Sequence, residues 1–300
     1  MKSFFDDVKR NKGLYIILIP VLLYFAIFAY LPMFGLVMAF ENYTPKGGFL
    51  GSQFVGFKHF ADFFGSVYFG RLIRNTLLIS ILNLVVGFPA PIIFALLLNE
   101  VSNKFFKKTV QTVSYLPYFI SLVIVCGLVA DFTASDGPIT ELIVALGGKR
   151  MNYLGQPEYF RSIYVLSDLW QGIGFSSIIY LAALAGIDQE LYEAAQIDGA
   201  GHISRLIHIT LPGISSTIIT LLILRMGTMF AVGYEKIILL YSNNTFETAD
   251  VISSYVYRKG LLEQNYSYSA AVGLFNSVIN TALLIISNKI SKKYSETSLF

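Results

Sequence analysis

Residues 14–40 read LYIILIPVLLYFAIFAYLPMFGLVMAF, a run from Leu14 to Phe40 with no Asp, Glu, Lys or Arg. A helix rising 1.5 Å per residue crosses the hydrocarbon core of a bilayer, about 30 Å thick, in about 20 residues. The run is long enough to span and exceeds the apolar region of a cleavable leader, about 7–15 residues. It reads as a retained helix that also acts as the insertion signal. By the same measure five further stretches qualify: Leu72–Asn99, Val110–Phe132, Ser162–Ile187, Gly213–Leu239 and Ser267–Ile290. Open sheet edges cannot face lipid, and the sequence has no alternating strand-length segments. The expected fold is an all-α membrane protein with six transmembrane helices in one domain, residues 1–300.

Composition points the same way. With 55% hydrophobic and 14% charged residues and a mean hydropathy of +0.61, there is too little polar material to coat a soluble globule of this size. The net charge of +3 comes from 22 Lys and Arg scattered through loops. A nucleic-acid partner would call for a basic block, so none is expected. The single cysteine, Cys126, excludes an intrachain disulfide and a Cys-rich metal site, and reads as a small packing residue. His59, His202 and His208 lack metal-ligand spacing, so no metal site is expected. No Gly-x-x-x-x-Gly-Lys-Ser/Thr loop and no Gly-x-Ser-x-Gly elbow occur, so no catalytic residue is assigned. Glu190 and Glu193 are close in sequence, yet they fall in a surface loop rather than an enclosed pocket.

Orientation follows from the cations flanking the spans. Lys2, Lys9, Arg10 and Lys12, then Lys104, Lys107 and Lys108, then Lys289, Lys292 and Lys293 fall on one side of a six-span chain. That side is the cytoplasm, which puts both termini there. The loops near 41–71, 133–161 and 240–266 then lie outside, although Arg71 and Arg74 run against the trend. Pro32, the run Gly87–Pro91 and Leu116-Pro117 are expected kinks, tolerated where neighbouring helices satisfy the freed backbone.

The cytoplasmic segment 188–212 between the fourth and fifth spans is too patterned for a mere connector. Gln189–Ile197 reads as a short helix with acidic residues in its first turn, and Leu191, Ala194 and Ala195 form one small-residue face. Asp198-Gly199 breaks it. Ile203, Leu206, Ile207 and Ile209 then make a second amphipathic helix limited by Pro212. An interfacial helix lying on the membrane would be richer in Lys and Arg and carry bulky anchors, whereas this one offers alanines and net acidity. The shape suits docking to another protein.

Glu193-Ala194-Ala195, Gly199, Ile209, Leu211 and Pro212, at their spacing here, resemble the EAA loop of ABC importer permeases. The resemblance implies the type I importer architecture, with this loop seated in a groove of a cytoplasmic ATPase. It also implies that Glu193 pairs with a basic residue there, that Ala194 and Ala195 permit close approach, and that Gly199 makes the turn, with Asp198 beside it in the coupling loop. Trp170–Phe175, Leu181–Gly186 and Asp198–Ala200 are similar to the maltose-type permeases. Pro32–Gly35, Tyr43–Pro45 and Phe54–Phe57 resemble the branch that takes up polysaccharide fragments. The extra amino-terminal spans and large periplasmic insert of the longer maltose permease are not matched.

The implied function is the permease subunit of an ATP-driven importer in the bacterial cytoplasmic membrane, passing an oligosaccharide delivered by an external solute-binding protein. Its implied partners are a second homologous permease in a heterodimer, two ATPase subunits that hold ATP and Mg, and membrane lipid; this chain itself would bind no cofactor. The rival readings are a permease of the same class for another small polar solute, and an ion-coupled secondary transporter. The latter would bring internal repeats around a midplane site and leaves the EAA loop unexplained.

Within the spans, Arg225 is costly in hydrocarbon unless it faces a cavity or a partner, and Asp168 is a candidate partner in a structural tie. Gln171 and Asn276, with Asn83 and Asn280, are candidates for sugar hydroxyls, although bonding between helices is their commoner use. Tyr180 and Tyr234 are candidates for stacking on sugar rings. Together these are the candidate translocation-path residues.

Overall fold

The computed structural model describes residues 2–294. Helix dominates, because backbone amides in hydrocarbon must be satisfied within their own segment. Lys12–Phe40, Phe69–Glu100, Leu122–Ala145 and Tyr266–Lys293 are each long and apolar enough to cross a membrane. Two further helix pairs meet the same measure only when taken together and are bent, Pro157–Ala185 with Gln189–Ile197 at 66° and His202–Gly213 with Ser215–Gly227 at 57°. The described residues therefore hold four such spans, or up to six if each bent pair contributes one. Among the described residues the only strands are Glu41–Asn42 and Gln53–Phe54, antiparallel with Glu41 opposite Phe54.

The described residues gather into two compact units. One holds those up to Ser66 together with Val256–Phe275. Its long helix Lys12–Phe40 is apolar on every face and buries only Ala39. A π turn at Ala26–Tyr30 precedes Pro32, easing the clash between the proline ring and the turn before it. Elsewhere in this unit the Tyr43 N–H donates to Ser267 Oγ at 2.8 Å, and Phe63 meets Tyr268 and Phe275 edge to face.

The other unit holds Val67–Tyr255 and the described residues from Asn276 onward. Ile79, Cys126, Phe160, Tyr164, Ile237 and Val251 belong to its larger core cluster, so Cys126 is a packing residue. At Gly174 an added Cβ would lie 2.2 Å from the Ser114 carbonyl oxygen, so the helices Lys104–Tyr115 and Pro157–Ala185 meet backbone to backbone.

Two expected spans are corrected. Val110–Phe132 is not one helix: Lys104–Tyr115 tightens into a 3-10 turn at Leu116–Phe119, and a new helix, Leu122–Thr133, starts with Ser121 as its cap. Pro117 supplies no N–H to continue the ladder. Gly213–Leu239 is broken as well, into Ser215–Gly227 and Tyr234–Leu240. Gly227 sits where a Cβ would lie 2.8 Å from Leu284 Cδ1, and residues 228–233 leave the helix. Some of their N–H groups close local turns, such as Ala231 to the Thr228 carbonyl at 2.9 Å, and others of their backbone groups are met by side chains from other helices. The Phe230 N–H donates to Asn280 Oδ1 at 2.9 Å, and Asn276 Nδ2 donates to the Phe230 carbonyl at 3.3 Å. Ser80 and Ser253 donate to the carbonyls of Met229 and Val232. Without these donors and acceptors, irregular backbone at membrane depth would be prohibitive.

Candidate functional site

The segment after Ala185 is built from local rules. Asp188 caps Gln189–Ile197 by accepting from the Glu190 N–H at 3.0 Å. The far end closes as a Schellman motif: Ala200 N–H reaches the Ala195 carbonyl at 2.8 Å, and Gly199 N–H reaches that of Gln196 at 3.1 Å. Gly199 has φ +74°, a conformation other residues resist. The second arm, His202–Gly213, is longer than expected and runs through Pro212, with a π turn at Leu206–Thr210 absorbing the missing hydrogen bond.

Tyr192 Oη and Thr210 Oγ1 stand 2.9 Å apart and join the two arms. Glu193 and Ala194 are exposed, as are Leu191, Ile197 at 86% and Ile203 at 71%. Ala195 is half-buried, while Asp198 is exposed at the turn. Ile209, Leu211 and Pro212 lie on the second arm, where Ile209 packs inward against Ile187 and its neighbours.

Nearer the middle of the helices a cavity of 710 Å³ opens between Asn83, Tyr118, Asp168, Phe175, Tyr180 and Arg225. It adjoins a smaller one of 270 Å³, lined by Asp168, Arg225, Lys236 and the irregular backbone after Gly227. Asp168 does not tie to Arg225. Its Oδ1 takes Lys236 Nζ at 3.3 Å and its Oδ2 takes Asn83 Nδ2 at 3.3 Å. Lys236 is buried, with its ammonium 5.0 Å from the centre of the Tyr164 ring. Arg225 is exposed to the cavity and forms no ion pair among the described residues.

Asn83 opens a π turn, Asn83–Gly87, just before Pro89, and its Oδ1 occupies space that any side chain at Gly87 would need. Tyr118 and Phe175 stack at 3.9 Å with planes 3° apart, forming a flat aromatic wall. Such a mix of aromatic surface and a few convergent polar groups is typical of small-ligand sites.

Of the candidate path residues, Asn83, Asp168, Tyr180 and Arg225 line the larger of these two cavities. Gln171, Tyr234 and Asn276 line neither cavity; Asn276 instead supports the broken backbone at Phe230. Lys236, Tyr118 and Phe175 were not singled out from sequence. Lys236 carried the one available signal, a lysine inside the expected span Gly213–Leu239, beside Glu235 and near its end.

Residues 87–296 match the family described as Binding-protein-dependent transport system inner membrane component. Protein LplB of Bacillus subtilis (strain 168) is 46% identical over 299 residues, 99% of this chain and 94% of that protein. The polygalacturonan/rhamnogalacturonan transport system permease protein YteP of the same strain is 44% identical over 292 residues, 97% and 91% of the two chains. A chain of a bacterial ABC transporter involved in the import of the acidic polysaccharide alginate matches with a TM-score of 0.89 at 46% identity, covering 97% of this chain and 99% of that one. A chain of the bacterial alginate ABC transporter in complex with alginate pentasaccharide-bound periplasmic protein matches with a TM-score of 0.91 at 45% identity, covering 98% and 99%.

Proposed function

The chain belongs to the family of binding-protein-dependent transport system inner membrane components, and from that premise we propose that its cavity passes an acidic oligosaccharide. It has the type I ABC importer permease fold and is a membrane subunit, with ATP hydrolysed by a separate one. The acidic preference rests on one observation: Arg225 faces the larger cavity without an ion pair among the described residues, while Asp168 is engaged by Lys236. A free guanidinium binds a carboxylate through two parallel hydrogen bonds, the geometry a uronate offers. Similarity to permeases for polygalacturonan/rhamnogalacturonan and alginate supports the same substrate class. The Tyr118–Phe175 wall suits the apolar face of a pyranose ring.

The working assembly on this reading is a heterodimer with a second homologous permease, two ATPase subunits and an external solute-binding protein, with both termini of this chain cytoplasmic. The segment 188–212 docks on an ATPase, with Glu193 toward a basic residue and Ala194 toward the groove. ATP and Mg bind the ATPase, and this chain holds no cofactor.

The test is uptake of tetragalacturonide and of maltotetraose by the full complex carrying Arg225→Gln, beside Asp168→Asn. Losing one charge-assisted bidentate contact, about 1.5–3 kcal/mol, lowers acidic-sugar uptake by about tenfold or more. Normal complex yield and unchanged handling of any neutral sugar are expected alongside. Loss of assembly in Arg225→Gln itself, or equal loss of acidic and neutral uptake, would make Arg225 structural and remove the basis for an acidic substrate; Asp168→Asn reports separately on the pair with Lys236.

A further inference from the structure

The two arms of the segment 188–212 leave the membrane helices at 66° and 57°, so each is attached to its span by a bend rather than by a continuous helix. A bent attachment transmits force poorly unless something fixes the angle. Between the arms, Tyr192 Oη to Thr210 Oγ1 at 2.9 Å is the one side-chain hydrogen bond among the described residues. Thr210 is buried at 3% exposure and sits at the end of the π turn, where its hydroxyl also lies 3.4 Å from the Arg205 carbonyl. Tyr192 is half-buried, and its ring packs with Ile209 against the cluster Tyr180, Leu184, Ile187 and Ile214.

That cluster reaches from the arms to the cavity, because Tyr180 lines the cavity wall. Its base is tight: a Cβ at Gly213 would lie 2.8 Å from Ile187 Cδ1, so the roots of the two arms already touch. Close-packed side chains with no slack carry a displacement rather than absorb it.

We propose that Tyr192 and Thr210 are positioning residues for coupling: their hydrogen bond locks the two arms into one body, which drives the packed cluster and the cavity wall at Tyr180. This rests on the reading of 188–212 as the ATPase-docking segment. Neither residue touches the ATPase or the sugar on this account; both act through the arms they hold.

The test uses the full complex with Leu224→Cys as a reporter in the cavity, in a Cys126→Ala background, labelled with a water-soluble maleimide. With Tyr192 and Thr210 intact, trapping with ATP and vanadate changes the labelling rate by about fivefold or more, the lower end of ordinary coupling between sites. Tyr192→Phe and Thr210→Val should each reduce the change to within about twofold while the ATPase subunits still co-purify, and the double variant should be no worse than either single one. Thr210→Ser, which keeps the hydroxyl, should restore it. A full nucleotide response in Tyr192→Phe, or failure of Thr210→Ser to restore it, overturns the strut. Glu193→Lys separates the two claims. If the ATPase subunits stay bound to that variant, the docking reading fails and takes the strut with it; if they are lost while Tyr192→Phe responds fully, the strut alone fails.

Discussion

The segment 188–212 and the cavity handle polarity in opposite ways. Along 188–212, apolar side chains such as Ile197 and Ile203 stand exposed while the backbone is satisfied within the segment, by the Asp188 cap and the Schellman closure at Gly199. In the cavity the arrangement is reversed. Charged and amide groups, Asp168, Lys236 and Asn83, satisfy one another inside the bundle, and even the backbone after Gly227 depends on Asn280 and Asn276. A locally satisfied element can dock and release as a unit. A site satisfied largely by groups from other helices is held where those helices hold it, and shifts when they shift. The difference fits the proposed roles, a moving contact at the loop and a responsive chamber at the cavity.

Three substitutions sharpen or break this contrast, in order of expected effect. Glu193→Lys places a like charge where a basic partner is expected; truncating one member of a desolvated charged contact costs about 2–5 kcal/mol, and reversal costs more than Glu193→Ala. Uptake and ATPase co-purification should be lost while membrane insertion is normal. Wild-type transport by Glu193→Lys would break the assignment of the segment.

Lys236→Met comes next, because it leaves Asp168 without its cation. Breaking a fully buried pair costs about 3–5 kcal/mol, and the cost here should fall below that range because Asp168 is partly open to the cavity. The thermal midpoint of the purified complex should fall for Lys236→Met and recover in Lys236→Met with Asp168→Asn. No recovery in the double variant would mean that Lys236 acts through Tyr164 packing rather than through its charge. Asn280→Ala has the smallest expected effect, about 1–3 kcal/mol for a buried amide left unsatisfied. It should lower the same midpoint without changing ATPase recruitment. A loss of recruitment would show that the two regions are less separable than the structure implies.

The same contrast explains what could be read in the sequence. The local shape of the segment 188–212 is encoded contiguously: the helix Gln189–Ile197 and the turn at Gly199 appear where the pattern put them, whereas its contact from His202 to Glu100 and its packing against Tyr180 and Leu184 are not local. The second arm runs past Pro212, where the residue pattern predicts its end, because the π turn at Leu206–Thr210 is not encoded in that pattern. The long apolar runs also gave the helical class and the membrane setting.

The cavity was legible only in fragments. Asp168 was matched to Arg225 because an arginine within a span is the conspicuous partner, yet the cation that reaches it is Lys236, 68 residues away along the chain. The break after Gly227 was invisible to hydropathy, since residues 228–233 are as apolar as a span and the amides that compensate them lie about fifty residues further on. Gln171 and Asn276 were sensible polar candidates, but which face of a helix looks into a chamber is set by packing between helices, which no single segment encodes.

The account is tested most directly by tetragalacturonide uptake in proteoliposomes carrying the full complex and its binding protein, measured with ATP, without ATP, and with ion gradients collapsed by ionophores. Uptake that requires ATP, survives loss of the gradients and exceeds that of maltotetraose is the predicted result. Uptake that persists without ATP and follows an ion gradient, or that carries maltotetraose while excluding tetragalacturonide, would contradict it.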